Sequence, residues 1–260
     1  MIDVVQLSHI VLLFFAGTLI GSFCNVVGIR IPAGKSIVMP RSSCMSCGTQ
    51  LHYTELIPVL GWLLNRGRCR YCKQPVSGIY LFGELAGGFL FALLPYLIAE
   101  PRELILAYPM AALLIALTVA DLKHRLIPNK LMYPALIFFF LLRLLIHPLP
   151  YYSYGLGFVL GGGSLLAVSW FFALRGKDGM GGGDIKLMAL MGMIMGAKLV
   201  FICLLVSALL GSVTGSLLIL AGKLEKENAY LPYGPFIAAG GLCALFFGDP
   251  LASWYMGLFH

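Results

Sequence analysis

Two aspartates, Asp121 and Asp184, each lie at the edge of a long apolar stretch of this chain. Asp121 is followed by the basic segment 122–129, and Asp184 follows three consecutive glycines at 181–183. An ionisable group at the depth of a membrane is energetically costly, so its presence there indicates a functional site. Two such carboxyl groups predict a pair that shares one proton and activates a water molecule, which is the chemistry of hydrolysis.

Four cysteines form a second group of reactive side chains. Cys44 and Cys47 make one C-x2-C motif, Cys69 and Cys72 make another, and 21 residues separate the two motifs. Two such motifs can surround one metal ion tetrahedrally, with Zn–S distances of about 2.3 Å, and such a closed cage is structural rather than catalytic. Two disulfides or a redox-active dithiol are the alternatives. The motifs favour a structural zinc ion that organises a segment too small and polar to bury its own core.

The composition indicates which elements must position these residues. Hydrophobic residues make up 60% of the 260 residues and charged residues only 11%, whereas about 25% of an ordinary soluble domain is charged. The chain is therefore predicted to be an all-α, polytopic membrane protein. Eight apolar stretches approach the ~20 residues that a helix needs to cross a bilayer. They lie at roughly 7–29, 79–99, 104–120, 131–147, 154–174, 185–197, 199–221 and 231–247.

Lys and Arg are unevenly distributed among the segments that join these stretches. Segments 30–77, 121–130, 175–186 and 222–230 hold 15 of the 18 Lys and Arg residues. By the positive-inside rule these segments are cytoplasmic, both termini lie outside, and both aspartates face the cytoplasm. A reducing compartment also disfavours disulfides among the four cysteines. The net charge of +7 is explained by this topology and by contact with anionic membrane lipid, so no nucleic-acid partner is expected.

The sixth apolar stretch is short for a membrane span. From Asp184 to the Gly196-Ala197-Lys198 sequence there are about a dozen residues, or roughly 18–20 Å of helix, against a hydrocarbon thickness of about 30 Å. Either this segment is re-entrant or Asp184 is drawn below the membrane surface. In the second case the glycine-rich segment 179–183 would supply a flexible backbone that lets water and a substrate strand approach.

Six short motifs occur together in an order and spacing that resemble one family. They are Gly21-Ser22-Phe23-Cys24-Asn25-Val26-Val27 with Arg30 and Pro32, the four cysteines, Tyr80 with Gly83-Glu84-Leu85, the segment 121–129, Gly181-Gly182-Gly183-Asp184-Ile185-Lys186-Leu187-Met188-Ala189, and Pro232-Tyr233-Gly234-Pro235-Phe236. Over nearly the whole chain they resemble the bacterial type IV prepilin peptidases, which are membrane aspartic proteases with a GxGD motif. Gly182 occupies the variable position of that motif.

The resemblance implies an enzyme of the bacterial inner (cytoplasmic) membrane that acts on type IV prepilins and pseudopilins. Members of the family remove a short basic leader on the cytoplasmic side, after a glycine. Members that contain the four-cysteine segment commonly also methylate the new amino terminus with S-adenosylmethionine. The expected cofactors are therefore structural zinc and S-adenosylmethionine, and no oligomeric state is predicted.

Asp121 and Asp184 are the predicted catalytic residues. Peptide hydrolysis needs one carboxylate as a base that activates water and one carboxylic acid as a proton donor. Asp184 precedes a predicted helix, whose dipole favours an anion, whereas Asp121 follows a helix C-terminus, where the dipole does not. Our hypothesis is that Asp184 is the initial base and Asp121 the acid, although Lys123 and Arg125 also act on Asp121 and a coupled pair titrates as a unit.

A methyl-donor site is harder to locate in the sequence. No glycine fingerprint for nucleotides follows a strand, so the site must be built from helix ends and the cysteine segment. The candidate residues are Asn25, Arg30, Gly67 and Glu84. A helix-packing hydrogen bond is an equally good interpretation of Glu84, and a simple turn is an equally good interpretation of Gly67.

The predicted organisation has three parts. Residues 1–29 form a first transmembrane helix, 30–77 a cytoplasmic four-cysteine zinc domain, and 78–260 a multi-helix membrane protease domain. Two other classes of protein share some of these features. A transporter or channel would place carboxylates at membrane depth without needing the glycine-rich segment or the cysteines, and a zinc-ribbon membrane scaffold would not need the aspartates.

Overall fold

The computed structural model describes residues 4–176, 179–223 and 231–257, and in these ranges it contains helices and no β-strand. The predicted all-α fold is therefore confirmed. Parts of two predicted basic segments, 177–178 and 224–230, lie outside the described residues. The helices are α1 (Val4–Arg30), α2 (Leu60–Leu64), α3 (Gly78–Leu97), α4 (Leu104–His124), α5 (Asn129–Leu145), α6 (Tyr151–Ala173), α7 (Gly182–Leu220) and α8 (Gly234–Gly257).

Six of the described helices are long and apolar enough to cross a membrane, judged by length and composition: α1, α3, α4, α6, α7 and α8. Helix α5, with 17 residues, is slightly shorter. Helix α7 has 39 residues, which is roughly 58 Å of helix and nearly twice the ~30 Å of hydrocarbon. It is interrupted at Gly196, where φ is 81° and ψ is 175°. The sixth and seventh predicted stretches are the two parts of α7, and the chain is a multi-pass membrane protein.

The chain divides into two compact units, Met1–His124 and Arg125–His260. In the first unit α1 packs against α3 and α4, and α3 packs against α4. In the second unit α7 is the central helix, because α5, α6 and α8 all pack against it. The predicted division at residues 29/30 and 77/78 stays a prediction.

Close glycine contacts hold α1 against α3. The sequence predicts close helix contacts where glycines repeat at a spacing of four, as at Gly83 and Gly87. A Cβ atom on Gly21 would lie 2.2 Å from the carbonyl oxygen of Gly83, and one on Gly17 would lie 2.3 Å from that of Gly87. The backbones of α1 and α3 therefore touch, and the contact predicted at Gly83 and Gly87 is confirmed.

Similar contacts hold α6 against the first part of α7. A Cβ atom on Gly157 would lie 2.2 Å from the carbonyl oxygen of Gly192, and one on Gly161 would lie 2.5 Å from that of Met188. The sequence also predicts close contacts at Gly157 and Gly161 and at Gly211 and Gly215, which repeat at the same spacing. An added Cβ on Gly211 would lie 3.2 Å from the ring of Tyr233. The contacts of Gly157 and Gly161 are tighter than that of Gly211, because they bring the backbones of α6 and α7 together without intervening side chains.

Arg143, one of the three basic residues outside the basic segments, is buried in α5, with 6% of its surface exposed. Its Nε donates a hydrogen bond of 2.8 Å to the carbonyl oxygen of Ile194, and its Nη1 donates one of 3.1 Å to that of Ile146. Carbonyl groups in the turn before a helix break need partners from outside the helix. Arg143 supplies such a partner just before the break at Gly196, at the helix end where a cation is favoured.

We expect Gly157→Ala to lower the free energy of unfolding by about 1–3 kcal/mol, because the new methyl group cannot fit without separating α6 from α7. Gly163→Ala in the same helix is the control, since an added Cβ there would meet nothing within 4 Å. The measurement is denaturant unfolding of the purified protein in mixed micelles. Equal stability of the two variants would contradict the close contact between α6 and α7.

Candidate active site and metal site

Asp121 lies in the last turn of α4, and only 3% of its surface is exposed. The residues before it, 114–120, are all buried. His124 ends the helix, and its Nε2 lies 3.0 Å from the carbonyl oxygen of Ile29 in α1. The end of α4 is therefore fixed against α1, and the Asp121 carboxyl group lies within helix packing rather than in open solvent.

Asp184 lies in the first turn of α7 and is half-buried. Its backbone N–H donates a hydrogen bond of 3.1 Å to the carbonyl oxygen of Gly181, which is the N-cap residue. The helix dipole therefore favours an anion at Asp184 and disfavours one at the other end of a helix, where Asp121 lies. These are the two local environments on which the assignment of base and acid depends.

The three glycines before Asp184 are not equivalent. A Cβ atom on Gly183 would lie 2.7 Å from the Cβ of Ile127, and one on Gly181 would lie 3.0 Å from Oδ2 of Asp184. An added Cβ on Gly182 would meet nothing within 4 Å. Close contacts thus favour glycine at 181 and 183, while position 182 has room for a side chain, in agreement with its place as the variable residue of GxGD.

Lys186 joins the start of α7 to the start of α5. Its Nζ donates hydrogen bonds of 2.8 Å to Oδ1 of Asn129 and 3.2 Å to the hydroxyl of Tyr133, and lies 5.0 Å from the centre of the Tyr133 ring. Sequence reasoning gave Lys186 no role. The available signal was a cation two residues after a candidate catalytic acid, together with an amide side chain, Asn129, at the start of a helix 57 residues earlier.

Tyr233 lies just before α8 and within electrostatic reach of Asp184. Burial raises the pKa of the Tyr233 phenol, the hydrogen bond with Ser207 opposes this rise, and the neighbouring Cys203 and Asp184 add smaller increases. The hydroxyl of Tyr233 lies 3.4 Å from Oγ of Ser207, a buried residue of α7. The motif 232–236 carried part of the family resemblance, but no role was predicted for its tyrosine.

The two aspartates belong to different compact units of the chain. Asp121 is in Met1–His124 and Asp184 is in Arg125–His260. Each unit supplies one carboxyl group in an ordered position at a helix end. Their pairing in one catalytic centre stays a prediction of the sequence.

The four cysteines converge on one point in the first unit. The Sγ atoms of Cys44, Cys47, Cys69 and Cys72 all lie within 4.8 Å of one another, and those of Cys44 and Cys72 are 3.8 Å apart. Sulfurs in a tetrahedral site with Zn–S distances of about 2.3 Å are about 3.8 Å apart. The four cysteines are therefore arranged so that they could hold a metal ion.

The two C-x2-C motifs have the same local structure. In the first, the N–H of Cys44 donates to the carbonyl of Thr49, and the N–H of Gly48 donates to the carbonyl of Cys44. In the second, Cys69 bonds in the same way to Gln74 and Lys73. The fourth residue after the first cysteine has a positive φ in both, 71° at Gly48 and 60° at Lys73. Each motif therefore forms a tight knuckle that places its two thiols on one side.

The pKa values of the thiols differ because of their hydrogen bonds, their desolvation and the neighbouring sulfurs. Backbone N–H groups of Cys47 and Ser46 lower the pKa of Cys44 to about 6, and the Thr49 hydroxyl lowers that of Cys47. The pKa of Cys72 is raised to about 11: an opposing backbone hydrogen bond at Gln74 is outweighed by desolvation and by the neighbouring sulfurs. Hydrogen bonding therefore favours the thiolate, the form that binds metal, at Cys44 and at Cys47.

A cavity of about 370 Å³ lies within the first unit, between the cysteine segment and the membrane helices. Three of the four predicted methyl-donor residues, Arg30, Gly67 and Glu84, line it. Trp62 and Cys69 form part of the same wall. The volume falls in the range of about 300–1,000 Å³ that is typical of small-molecule sites.

The four predicted methyl-donor residues differ in how they meet this cavity. Asn25 lies behind the wall, with 1% of its surface exposed, and its Nδ2 donates a 2.8 Å hydrogen bond to the carbonyl oxygen of Tyr80, a lining residue. Gly67 has a φ of 66°, and an added Cβ would lie 2.6 Å from the ring of Trp62. Arg30 ends α1, and its Nη1 donates to the carbonyl of Ser36 at 3.1 Å.

Trp62 was missed by sequence reasoning, since a lone tryptophan in a loop carries no distinct signal. Its Nε1 is buried and has no hydrogen-bond partner among the described residues. An unpaired buried donor is costly. Because Trp62 lines the cavity, an acceptor atom of a bound ligand is a natural partner for this group.

Comparison with known proteins covers most of the chain. Residues 15–98 match the Bacterial Peptidase A24 N-terminal domain, and residues 108–216 match the Type IV leader peptidase family. The chain is 38% identical over 245 residues to the prepilin leader peptidase/N-methyltransferase of Bacillus subtilis (strain 168), covering 94% of this chain and 97% of that protein.

Relatives from other bacteria carry the same name. Identity is 33% to the Aeromonas hydrophila protein, covering 94% of this chain and 93% of the relative, and 32% to the Pseudomonas putida protein, covering 93% and 92%. No solved structure gives a significant match. With two matched family domains in order and relatives aligned almost end to end, this chain belongs to the type IV leader peptidase family.

Proposed function

We propose that this chain is a membrane aspartic endopeptidase that removes the short basic leader from type IV prepilins and pseudopilins, after a glycine, and then methylates the new amino terminus. The alignment with prepilin leader peptidase/N-methyltransferases over 94% of the chain carries this proposal. The positions of the two aspartates at helix ends support the cleavage step. The cavity beside the four cysteines supports the methylation step.

Cleavage requires Asp184 and Asp121 in different protonation states. Asp184, at a helix N-terminus, holds the negative charge and takes a proton from the attacking water. Asp121, at a helix C-terminus, keeps its proton and donates it to the carbonyl oxygen or the leaving amine of the substrate. Lys186 fixes the first turn of α7 through Asn129 and so holds the backbone that carries Asp184.

The site is proposed to face the cytoplasm. The segments rich in Lys and Arg include 30–77 and 121–130, and the positive-inside rule places such segments on the cytoplasmic side. This location brings the site to the basic leader of a prepilin that is still anchored in the inner membrane. Anionic lipid is the other expected contact of the basic segments.

Methyl transfer is proposed to use the cavity of the first unit with S-adenosylmethionine. When bound, this donor supplies a methyl group on a sulfonium sulfur. Arg30 would bind its carboxylate, Gly67 would allow close approach of its rings, and Trp62 Nε1 would donate to a ring nitrogen. Glu84 completes the lining, and Asn25 supports it from behind through Tyr80. The four cysteines are proposed to hold one structural zinc ion, which fixes the wall that contains Cys69.

A direct assay tests both activities. The purified protein in lipid is incubated with a prepilin and S-adenosylmethionine, and the product is examined by mass spectrometry. The proposal expects loss of the leader followed by a mass increase of one methyl group. Intact prepilin would favour a transporter, a channel or a zinc scaffold, and a cleaved but unmethylated product would leave a peptidase alone.

We expect Gly67→Ala to lower methylation while leaving cleavage unchanged, because the new Cβ would lie 2.6 Å from the Trp62 ring and displace this part of the cavity wall. Gly34→Ala is a matched control. Gly34 has a similar φ of 68°, but an added Cβ there would meet nothing within 4 Å. Both variants therefore carry the same backbone cost, which is about 1–2 kcal/mol for alanine at a positive φ, and only Gly67→Ala changes the cavity. Equal methylation by the two variants would remove Gly67 from the donor site.

A further inference from the structure

Glu84 connects three parts of the first unit through one buried carboxyl group. It lies in α3 with 9% of its surface exposed. Its Oε1 accepts a hydrogen bond of 2.9 Å from the hydroxyl of Ser22 in α1, and its Oε2 accepts one of 2.7 Å from the backbone N–H of Val59. Both oxygens of the carboxyl group are therefore engaged by the protein itself.

Val59 has a backbone conformation that its side chain disfavours. Its φ is 64° and its ψ is −54°, and the N–H of Leu60 donates a hydrogen bond of 2.6 Å to the carbonyl oxygen of Pro58. This is a γ-turn with a positive φ at its centre, a rare and strained turn. A positive φ at a β-branched residue is a genuine outlier, and it persists only where the surrounding structure holds it in place.

The turn at Val59 determines where α2 begins. Val59 is the N-cap of α2 (Leu60–Leu64), which carries Trp62 toward Gly67, and both residues line the cavity. Gly61 also lines the cavity and packs against the carbonyl of Glu55, which a Cβ would approach to 2.3 Å. Val59 itself is not a lining residue.

We propose that Glu84 is a positioning residue for methyl transfer: by accepting the N–H of Val59 it holds the strained turn that starts α2 and so places Trp62 in the wall of the donor cavity. This inference rests on the proposed methyltransferase function of that cavity. It assigns Glu84 a role through hydrogen bonds rather than through direct attraction of its charge to the methyl donor.

The conservative substitution separates these two roles. In Glu84→Gln the amide oxygen can still accept the Val59 N–H, and the amide N–H can donate to the hydroxyl of Ser22. Methylation by Glu84→Gln should therefore stay within about threefold of the parent protein, because the hydrogen bonds are kept and only the charge is lost. Glu84→Ala leaves the Val59 N–H without its acceptor, and methylation should fall on the order of tenfold.

A second substitution tests the strained turn directly. Glycine adopts a positive φ without strain, so Val59→Gly should restore much of the methylation that Glu84→Ala loses. Val59→Ala is the matched control, since alanine keeps the penalty for a positive φ and should not restore activity. The assay uses the full-length protein with S-adenosylmethionine and a peptide that already begins at the mature amino terminus, so that no cleavage step is needed.

The outcomes are distinct. Retained activity in Glu84→Gln together with rescue by Val59→Gly supports the positioning role. Loss in Glu84→Gln as large as in Glu84→Ala, with a raised KM for S-adenosylmethionine and no rescue, would overturn it in favour of direct contact with the donor.

If the parent protein does not methylate at all, the proposed function fails, and limited proteolysis of segment 30–77 still tests the inference. Glu84→Ala should then be cut faster than the parent, and Val59→Gly should reverse the change. Equal rates in all variants would overturn it.

Discussion

Asp121→Asn and Asp184→Asn are each expected to abolish leader cleavage, with a loss of at least about a thousandfold, while the protein remains inserted and abundant. The two carboxyl groups are proposed to act as one unit, and removing either member of such a unit costs nearly as much as removing both. Asparagine has the shape of aspartate, so packing around the buried Asp121 is kept. The measurement is the rate at which a purified prepilin loses its leader.

Asp249→Asn is the matched control for this experiment. Asp249 forms an ion pair of 2.8 Å with Lys198, but 77% of its side chain is exposed. Exposed ion pairs contribute only about 0–1 kcal/mol to stability, so cleavage by this variant should equal that of the parent. An Asn variant at 121 or 184 that still processes prepilin at the parental rate would remove that residue from catalysis.

The membrane helices were predictable because hydropathy alone determines them. The break at Gly196 was also predictable, since a short apolar stretch ended at the Gly196-Ala197-Lys198 sequence. The buried position of Arg143 was not, because its partner is the carbonyl of Ile194, 51 residues away. A contact over such a separation depends on the packing of α5 against α7, which no local pattern encodes.

The metal knuckles were also predictable from local sequence, whereas the wall of the cavity depends on contacts between distant residues. The spacing of the cysteines predicts two matching turns, and the structure contains them. The strained turn at Val59 could not be predicted, because the sequence around it is compatible with an ordinary backbone conformation for valine. It exists because Glu84, 25 residues along the chain, accepts its N–H. Asn25 and Glu84 lie in the first and second predicted membrane helices, as expected, but their hydrogen-bond partners could be known only from the fold.

The second large effect is expected at the metal site. The purified protein should carry one zinc ion per chain, and the double substitution Cys44→Ser, Cys47→Ser should release it, because two ligands cannot hold a structural zinc. Segment 30–77 has little else to fold around, since its helical content is one five-residue helix and a single 3-10 turn. Metal analysis and limited proteolysis of this segment are the measurements.

Cys243→Ser is the control, because Cys243 lies in α8, outside the four-cysteine cluster. It should keep its zinc and its resistance to proteolysis.

The double variant should lose methylation almost completely, because Cys44 and Cys69 are part of the cavity wall and metal binding contributes directly to the folding of such a segment. Cleavage should survive in part, since neither aspartate belongs to the cysteine cluster. Parent protein that contains no zinc would contradict the proposed metal site, and four thiols that are oxidised in cells would indicate a redox centre or a pair of disulfides instead.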